Sequence, residues 1–215
     1  MSYFTVKKEA SAEFEEKKSV FIGHVKRVHN EEEAKEFINK VKGLHKEARH
    51  NVYAYIIGVN KGVQRYSDDG EPQGTGGIPV LEVLKKSDLT DIVVVVTRYF
   101  GGILLGTGGL ARAYSKGASL AIGESGVVEK VLGVPFKITI DYDLLGKIQY
   151  VCSTNQWHIE DTLYTDKVEI LMYCETTKIK EISNTLTEST NGKLAINEGD
   201  EAYFFKQENR LYVVD

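Results

Sequence analysis

Hydrophobic and polar positions recur along the chain with two different periods, and those periods predict its elements. Near the start, Phe4–Lys7 and Ser19–Val28 read as strands. Asn30 then stands before Glu31–Val41, where Ala34, Phe37, Ile38 and Val41 fall on one helical face. Asn is a good N-cap, and Glu31–Glu33 suit the positive end of the helix that follows. Val52–Val59 alternates as a strand, and Ile92–Val96 is an unbroken β-branched run, the pattern of a strand buried on both faces. Leu110–Ile122 reads as a helix whose inner face (Leu110, Ala113, Tyr114, Gly117, Ala118, Ala121) is narrow and small enough to pack close to a sheet.

The rest of the chain follows a recognisable order. Phe136–Asp141 alternates as a strand, and Asp143 is placed to cap a helix carrying Leu144, Leu145, Ile148, Val151 and Cys152. Strands are predicted near Trp157–Tyr164 and, after a turn at Thr165-Asp166, where Val168, Ile170, Met172 and Cys174 share a face. A helix over about Thr177–Glu188 presents Ile179, Ile182 and Leu186, and Asn191-Gly192 stops it. Strand-like segments at Leu194–Asn197, Ala202–Phe205 and Leu211–Val214 finish the chain. From Phe136 the order is βαββαβ, the split-βαβ or ferredoxin-like pattern.

Composition divides the 215 residues where the pattern does. Fifteen of the 20 glycines lie between Gly58 and Gly133. Residues 1–133 hold 19 Lys and Arg against 17 Asp and Glu, whereas residues 134–215 hold 8 against 14. The fold class is therefore α+β in two domains, 1–133 and 134–215, joined near Gly133-Val134-Pro135 with no Ser/Pro-rich linker. The overall charge of −4 gives no basic signature of a nucleic-acid binder, but it averages a +2 segment and a −6 one. Any phosphate-binding face is thus expected on the first domain. No apolar run has signal-peptide or membrane-spanning length, so a soluble, cytoplasmic protein is expected.

Three groups of residues carry candidate chemistry. Arg98, Gly101, Gly102, Gly106, Thr107, Gly108, Gly109, Arg112 and Lys116 frame a glycine-rich passage into the Leu110 helix. The passage is neither a P-loop nor a dinucleotide fingerprint. Backbone N–H groups at that helix start suit an anion, with Arg98 and Arg112 adding charge; equally, the glycines serve tight helix–sheet packing. Asp68, Asp69 and Glu71 form an acidic loop able to hold Mg²⁺ or act as a base, although Asp-Gly and Glu-Pro are also ordinary turn chemistry. His45 and His50 are five apart, not the helical spacing of a zinc pair, but His50 abuts a strand and can line a pocket. Cys152 and Cys174 fall on apolar faces as buried thiols. No catalytic group, metal or cofactor can be named from these residues.

The same residues carry a family resemblance. Asp68-Asp-Gly-Glu-Pro-Gln-Gly-Thr-Gly-Gly77 with Pro79, Val94-Val-Val-Thr-Arg-Tyr-Phe-Gly-Gly102 and Leu105-Gly-Thr-Gly-Gly-Leu-Ala-Arg-Ala-Tyr114 closely resemble the IMPACT/YigZ family. The match spans most of residues 1–130. Gly76, where the family often has Ala, and Leu104-Leu105 depart from the pattern while keeping small or apolar character. The resemblance implies a first domain of the type seen in domain 2 of ribosomal protein S5, and a second like domain V of elongation factor G. It also implies translational regulation. Eukaryotic relatives restrain the starvation-sensing initiation-factor kinase by binding the scaffold that activates it. Their RWD domain has no counterpart here, so the resemblance does not by itself imply the same partner.

The expected function is a non-enzymatic, translation-associated binding protein. Its partner would be RNA, the ribosome or a translation-linked protein, contacted through the first domain. The alternative is an enzyme or binder of small anions or nucleotides at Gly106–Gly109. The sequence leaves the oligomeric state open.

Overall fold

A computed structural model describes residues 2–213, in two compact units that divide between Val128 and Glu129. The expected boundary at 133/134 falls inside the strand Val127–Ile140. Gly133 is a strand residue, and a Cβ there would lie 2.7 Å from the Cys174 carbonyl oxygen. Glycine at this point serves close strand packing; it is no hinge. No helix among the described residues is long and apolar enough to cross a membrane.

The unit 3–128 is built on β1 (Ser2–Val6), β2 (Ala10–Glu16), β3 (Ser19–Arg27), α1 (Glu31–Leu44), β4 (His50–Ile57), β5 (Val63–Ser67), α2 (Gly77–Lys86), β6 (Ile92–Tyr99) and α3 (Thr107–Ser125). Five strands form an antiparallel sheet in the order β2-β3-β6-β4-β5. Central β6 is buried throughout Ile92–Arg98, as its β-branched run predicts. Val94 and Val96 face α2 and α3, while Val93 and Val95 face Phe37, Ile38 and Val41 of α1. Asn30 caps α1 by accepting from Glu33 N. The small face of α3 lets its backbone reach β3, where a Cβ on Gly23 would stand 2.2 Å from the Gly117 oxygen. Sequence periodicity misses β2, β5 and α2, because β2 alternates Ala with Glu and α2 opens on Gly-Ile-Pro.

In the unit from Glu129 on, β7 (Val127–Ile140), α4 (Leu145–Thr154), β8 (Asp161–Tyr164), β9 (Val168–Glu175), α5 (Ile179–Ser189) and β10 (Ala195–Glu198) give the ferredoxin-like order β10-β7-β9-β8. β11 (Ala202–Gln207) and β12 (Arg210–Tyr212) extend the sheet from the first part of β7. Phe136, Ile138, Ile140, Val168, Ile170, Met172 and Cys174 pack beneath Ile148, Cys152, Ile182 and Leu186. Two details differ from expectation, and one cannot be compared. Asp143 does not cap α4, since a 3-10 turn, Tyr142–Leu144, precedes it with no side-chain cap. The strand predicted from Trp157 is confined to Asp161–Tyr164. Of Leu211–Val214, the last residue lies outside the described residues.

Candidate functional site

The acidic loop sits between β5 and α2, and each of its carboxylates is engaged. Asp68 accepts from the backbone N–H groups of Gly74 (2.8 Å), Gly76 (3.0 Å) and Gly77 (2.8 Å), which ties the loop to the start of α2. Burial pushes the Asp68 carboxyl up, but the three N–H bonds outweigh it and leave its pKa below the usual value. Asp69 pairs with Lys42 at 2.6 Å and accepts from Asn51 N at 2.7 Å. His50, the first residue of β4, places Nδ1 2.9 Å from the Asp69 carbonyl oxygen. Among the described residues, no three His, Cys, Asp or Glu side chains gather as a metal ion requires.

Glu71 reaches inward to a buried pair. Its Oε1 lies 2.7 Å from Arg98 Nη1 and accepts from Tyr114 Oη at 2.7 Å. The side chains of Arg98 and Glu71 are only 6% and 4% exposed. The guanidinium carbon lies over the Phe21 ring (5.5 Å to its centroid) and over the Phe100 ring (5.4 Å). Burial and the Glu71 bond both drive the Tyr114 hydroxyl pKa upward, so it stays a donor. Arg98, expected to present charge at the glycine passage, is instead an internal strut. A solvated arginine is the wrong expectation here because β6 is covered on both faces and loop 68–77 supplies the counter-charge. Sequence reasoning gave Tyr114 a packing role alone and left its hydroxyl out.

The glycine passage has a different character. Gly101 is pressed onto the β2–β3 turn, where a Cβ would lie 1.9 Å from the Lys18 oxygen. Gly102 is exposed in the loop beyond it. Gly106, at φ +73°, precedes Thr107, and no side chain caps α3. Thr107 and Gly108 are exposed and Gly109 is half-buried. Arg112 and Lys116, both exposed, follow on α3, and Lys116 Nζ lies 4.3 Å from the Phe14 ring centroid. Gly109, Arg112, Ala113 and Lys116 share a cleft of about 210 Å³ with Phe14, Glu16, Lys17 and Leu105. The cleft is lined by β2, the β2–β3 turn, the passage and α3. Phe14 and Lys17 escape sequence reasoning because β2 does. At Gly76 an alanine Cβ would meet Val52 Cγ2 at 2.9 Å, so the departure from the family pattern is fitted to its neighbour.

A second polar cluster lies across the sheet. His45, the α1 C-cap, puts Nδ1 2.9 Å from Tyr99 Oη, and its ring centre is 5.0 Å from that of His24. Burial, with help from His45, lowers the His24 pKa to about 4, and burial lowers that of His45 too. His24 Nε2 is buried with no hydrogen-bond partner among the described residues. The pair is neutral and structural in character.

Comparisons with known proteins follow this division. The profile of the Impact N-terminal domain matches residues 17–122, and that of a domain of unknown function, DUF1949, matches residues 138–193. The IMPACT family member YvyE of Bacillus subtilis is 47% identical over 98% of this chain and 97% of its own length. The IMPACT family member YigZ of Escherichia coli is 34% identical over 84% of this chain and 89% of its own. A Protein IMPACT homolog of Dictyostelium discoideum is 43% identical over 42% of this chain. Among solved structures, the crystal structure of a hypothetical protein superposes with a TM-score of 0.60 at 32% identity, covering 91% of this chain and 96% of that one.

Proposed function

We propose, from the premise that this chain belongs to the IMPACT family, that it is a non-enzymatic cytoplasmic regulator associated with translation. Its 3–128 unit would contact RNA, the ribosome or a translation-linked protein. The observation that carries this reading is the use made of the charged loop residues. Asp68, Asp69, Glu71 and Arg98 are all committed to holding the fold, so none is placed to move a proton. At one cleft the same unit turns three cations outward, Lys17, Arg112 and Lys116, beside Glu16. That supports binding rather than turnover. The test is co-sedimentation of the full chain with ribosomes at about 50 and 200 mM salt, together with affinity capture and mass spectrometry of what is retained. Salt-sensitive retention with ribosomal or translation-factor partners is expected. A chain that neither sediments nor captures any such component refutes the reading.

A small-anion role at the start of α3 is favoured by one observation, the absence of a side-chain cap on its first N–H groups. Under that reading, phosphorylated metabolites or nucleotides at millimolar concentration raise the melting temperature. A flat thermal-shift screen excludes it.

A further inference from the structure

We infer that the cleft between the β2–β3 turn and the first turns of α3 is a binding track for single-stranded RNA. The loop Phe100–Leu105 is the apolar edge of that track. This inference rests on the reading above and gives its RNA form a specific surface.

The turn supplies the first observation. β2 and β3 are joined through Glu16 and Ser19 by a two-residue loop, Lys17-Lys18, and both lysines have positive φ (+47° and +63°). Such turns favour Asn-Gly, because a Cβ is costly in that conformation. Two lysines here are a strained choice, and strain at an exposed position points to what the side chains do rather than to the fold. Arg112 and Lys116 stand one helical turn apart on α3. Among the described residues, none of these four cations has a carboxylate within 4 Å, although Glu16 lines the same cleft. The rim therefore carries four cations held in no ion pair, with Glu16 the one carboxylate in the cleft lining.

The passage supplies the second. Gly101 lies against Lys18 and Leu105 lines the cleft, so the loop begins and ends beside the cations. The loop exposes Phe100 (49%), Ile103 (42%) and Leu104 (82%). Arg98 lies over one face of the Phe100 ring. A free phosphate would use the cations and leave this apolar tip in water. A single strand meets both features: its phosphates neutralise the rim, and its unstacked bases offer apolar faces to the tip. Duplex RNA hides those faces, and the binding of its shallow groove rests on 2′-hydroxyl and phosphate contacts that an apolar tip does not make.

The test is fluorescence anisotropy of the full chain with a labelled 12-nucleotide single-stranded RNA of mixed sequence. Four phosphate contacts give a slope of log affinity against log salt of about −3, roughly a 50-fold loss between 50 and 200 mM. Lys17→Glu with Arg112→Glu is expected to weaken binding at least tenfold and to halve that slope. Leu104→Ser is expected to weaken it about fivefold with the slope unchanged, since it removes apolar contact only. Lys35→Glu with Lys46→Glu, on α1 and just beyond it, is the charge-matched control and should stay within about twofold. Circular dichroism establishes that each variant is folded. If the wild type binds but the cleft and control variants lose affinity equally, this surface is wrong while the RNA reading survives. If the wild type binds no RNA at 50 mM salt, the RNA form of the reading fails and the track with it. Preferential binding to phosphatidylserine vesicles, abolished by Leu104→Ser, overturns the assignment of the loop to RNA.

Discussion

Glu71→Gln is the most demanding test of the internal architecture of the 3–128 unit. The wild-type carboxylate answers both the Arg98 guanidinium and the Tyr114 hydroxyl from a single oxygen, each at 2.7 Å. The substitution keeps shape and volume but removes the negative charge. It leaves a guanidinium 6% exposed beside the Phe21 and Phe100 rings, with Nε already lacking a partner among the described residues. Breaking a buried pair from one side costs about 3–5 kcal/mol, a large share of the roughly 5–15 kcal/mol that holds a domain. With a urea m-value of about 2 kcal/mol/M, the midpoint should fall by about 2 M. The readouts are far-UV circular dichroism and hydrogen exchange of the α3 amides, because Trp157 lies in the other unit and does not report this one. The pair need not be favourable overall: Glu71→Leu with Arg98→Met should recover part of the loss, since no charge is then stranded although the buried Tyr114 hydroxyl loses its acceptor. A Glu71→Gln midpoint within about 0.5 M of wild type refutes the argument. So does a double variant less stable than the single one.

Three further outcomes are expected. Gly23→Ala should destabilise the 3–128 unit by about 2 kcal/mol or more in urea titrations, because its Cβ would sit 2.2 Å from the Gly117 oxygen and neither backbone can yield cheaply; an unchanged midpoint would contradict the contact. His24 has a folded pKa of about 4 against 6.5 for the free side chain, so the unfolded chain binds the extra proton. Its contribution is complete above about pH 6.5 and is lost as pH falls toward 4, about 2 kcal/mol between pH 7 and 5. His24→Gln should flatten stability in that window, and identical pH profiles for variant and wild type would remove His24 as the cause. Burial raises the Cys152 thiol to about 11 and the Cys174 thiol to about 12, so neither should react with a thiol reagent at pH 8 before unfolding; rapid native labelling would show the second core to be open.

Much of this fold can be read from the residues because its strongest elements carry strong periods. Ile92–Val96 could only be a doubly covered strand, and the βαββαβ order of the second unit follows from six well-separated patterns. What escaped has physical reasons. β2 sets Ala10, Ala12 and Phe14 against Ser11, Glu13 and Glu15, so its alternation carries little hydrophobic contrast until Phe14, and Ala10 and Phe14 pack against the core beneath α3. α2 starts on Gly77-Ile-Pro79 inside a run that reads as turn, and its start is held by Asp68 from nine residues upstream. The site divides similarly. The glycine passage and the acidic loop stand out in the sequence, but the pairing of Glu71 with Arg98 and Tyr114 spans separations of 27 and 43 residues that no local pattern encodes. Lys17 and Lys18 are two of many surface lysines until the turn that bends them is seen.

The contact between Gly23 and Gly117 has a mechanical consequence. Two backbones that touch without side chains cannot slide or roll past one another by trading rotamers, so α3 is pinned to β3 beside the residue that bears Lys116. The gap between that helix and the Lys17-Lys18 turn is thereby a fixed gauge, and compliance is left to the long lysine and arginine side chains and to the glycine-flanked loop.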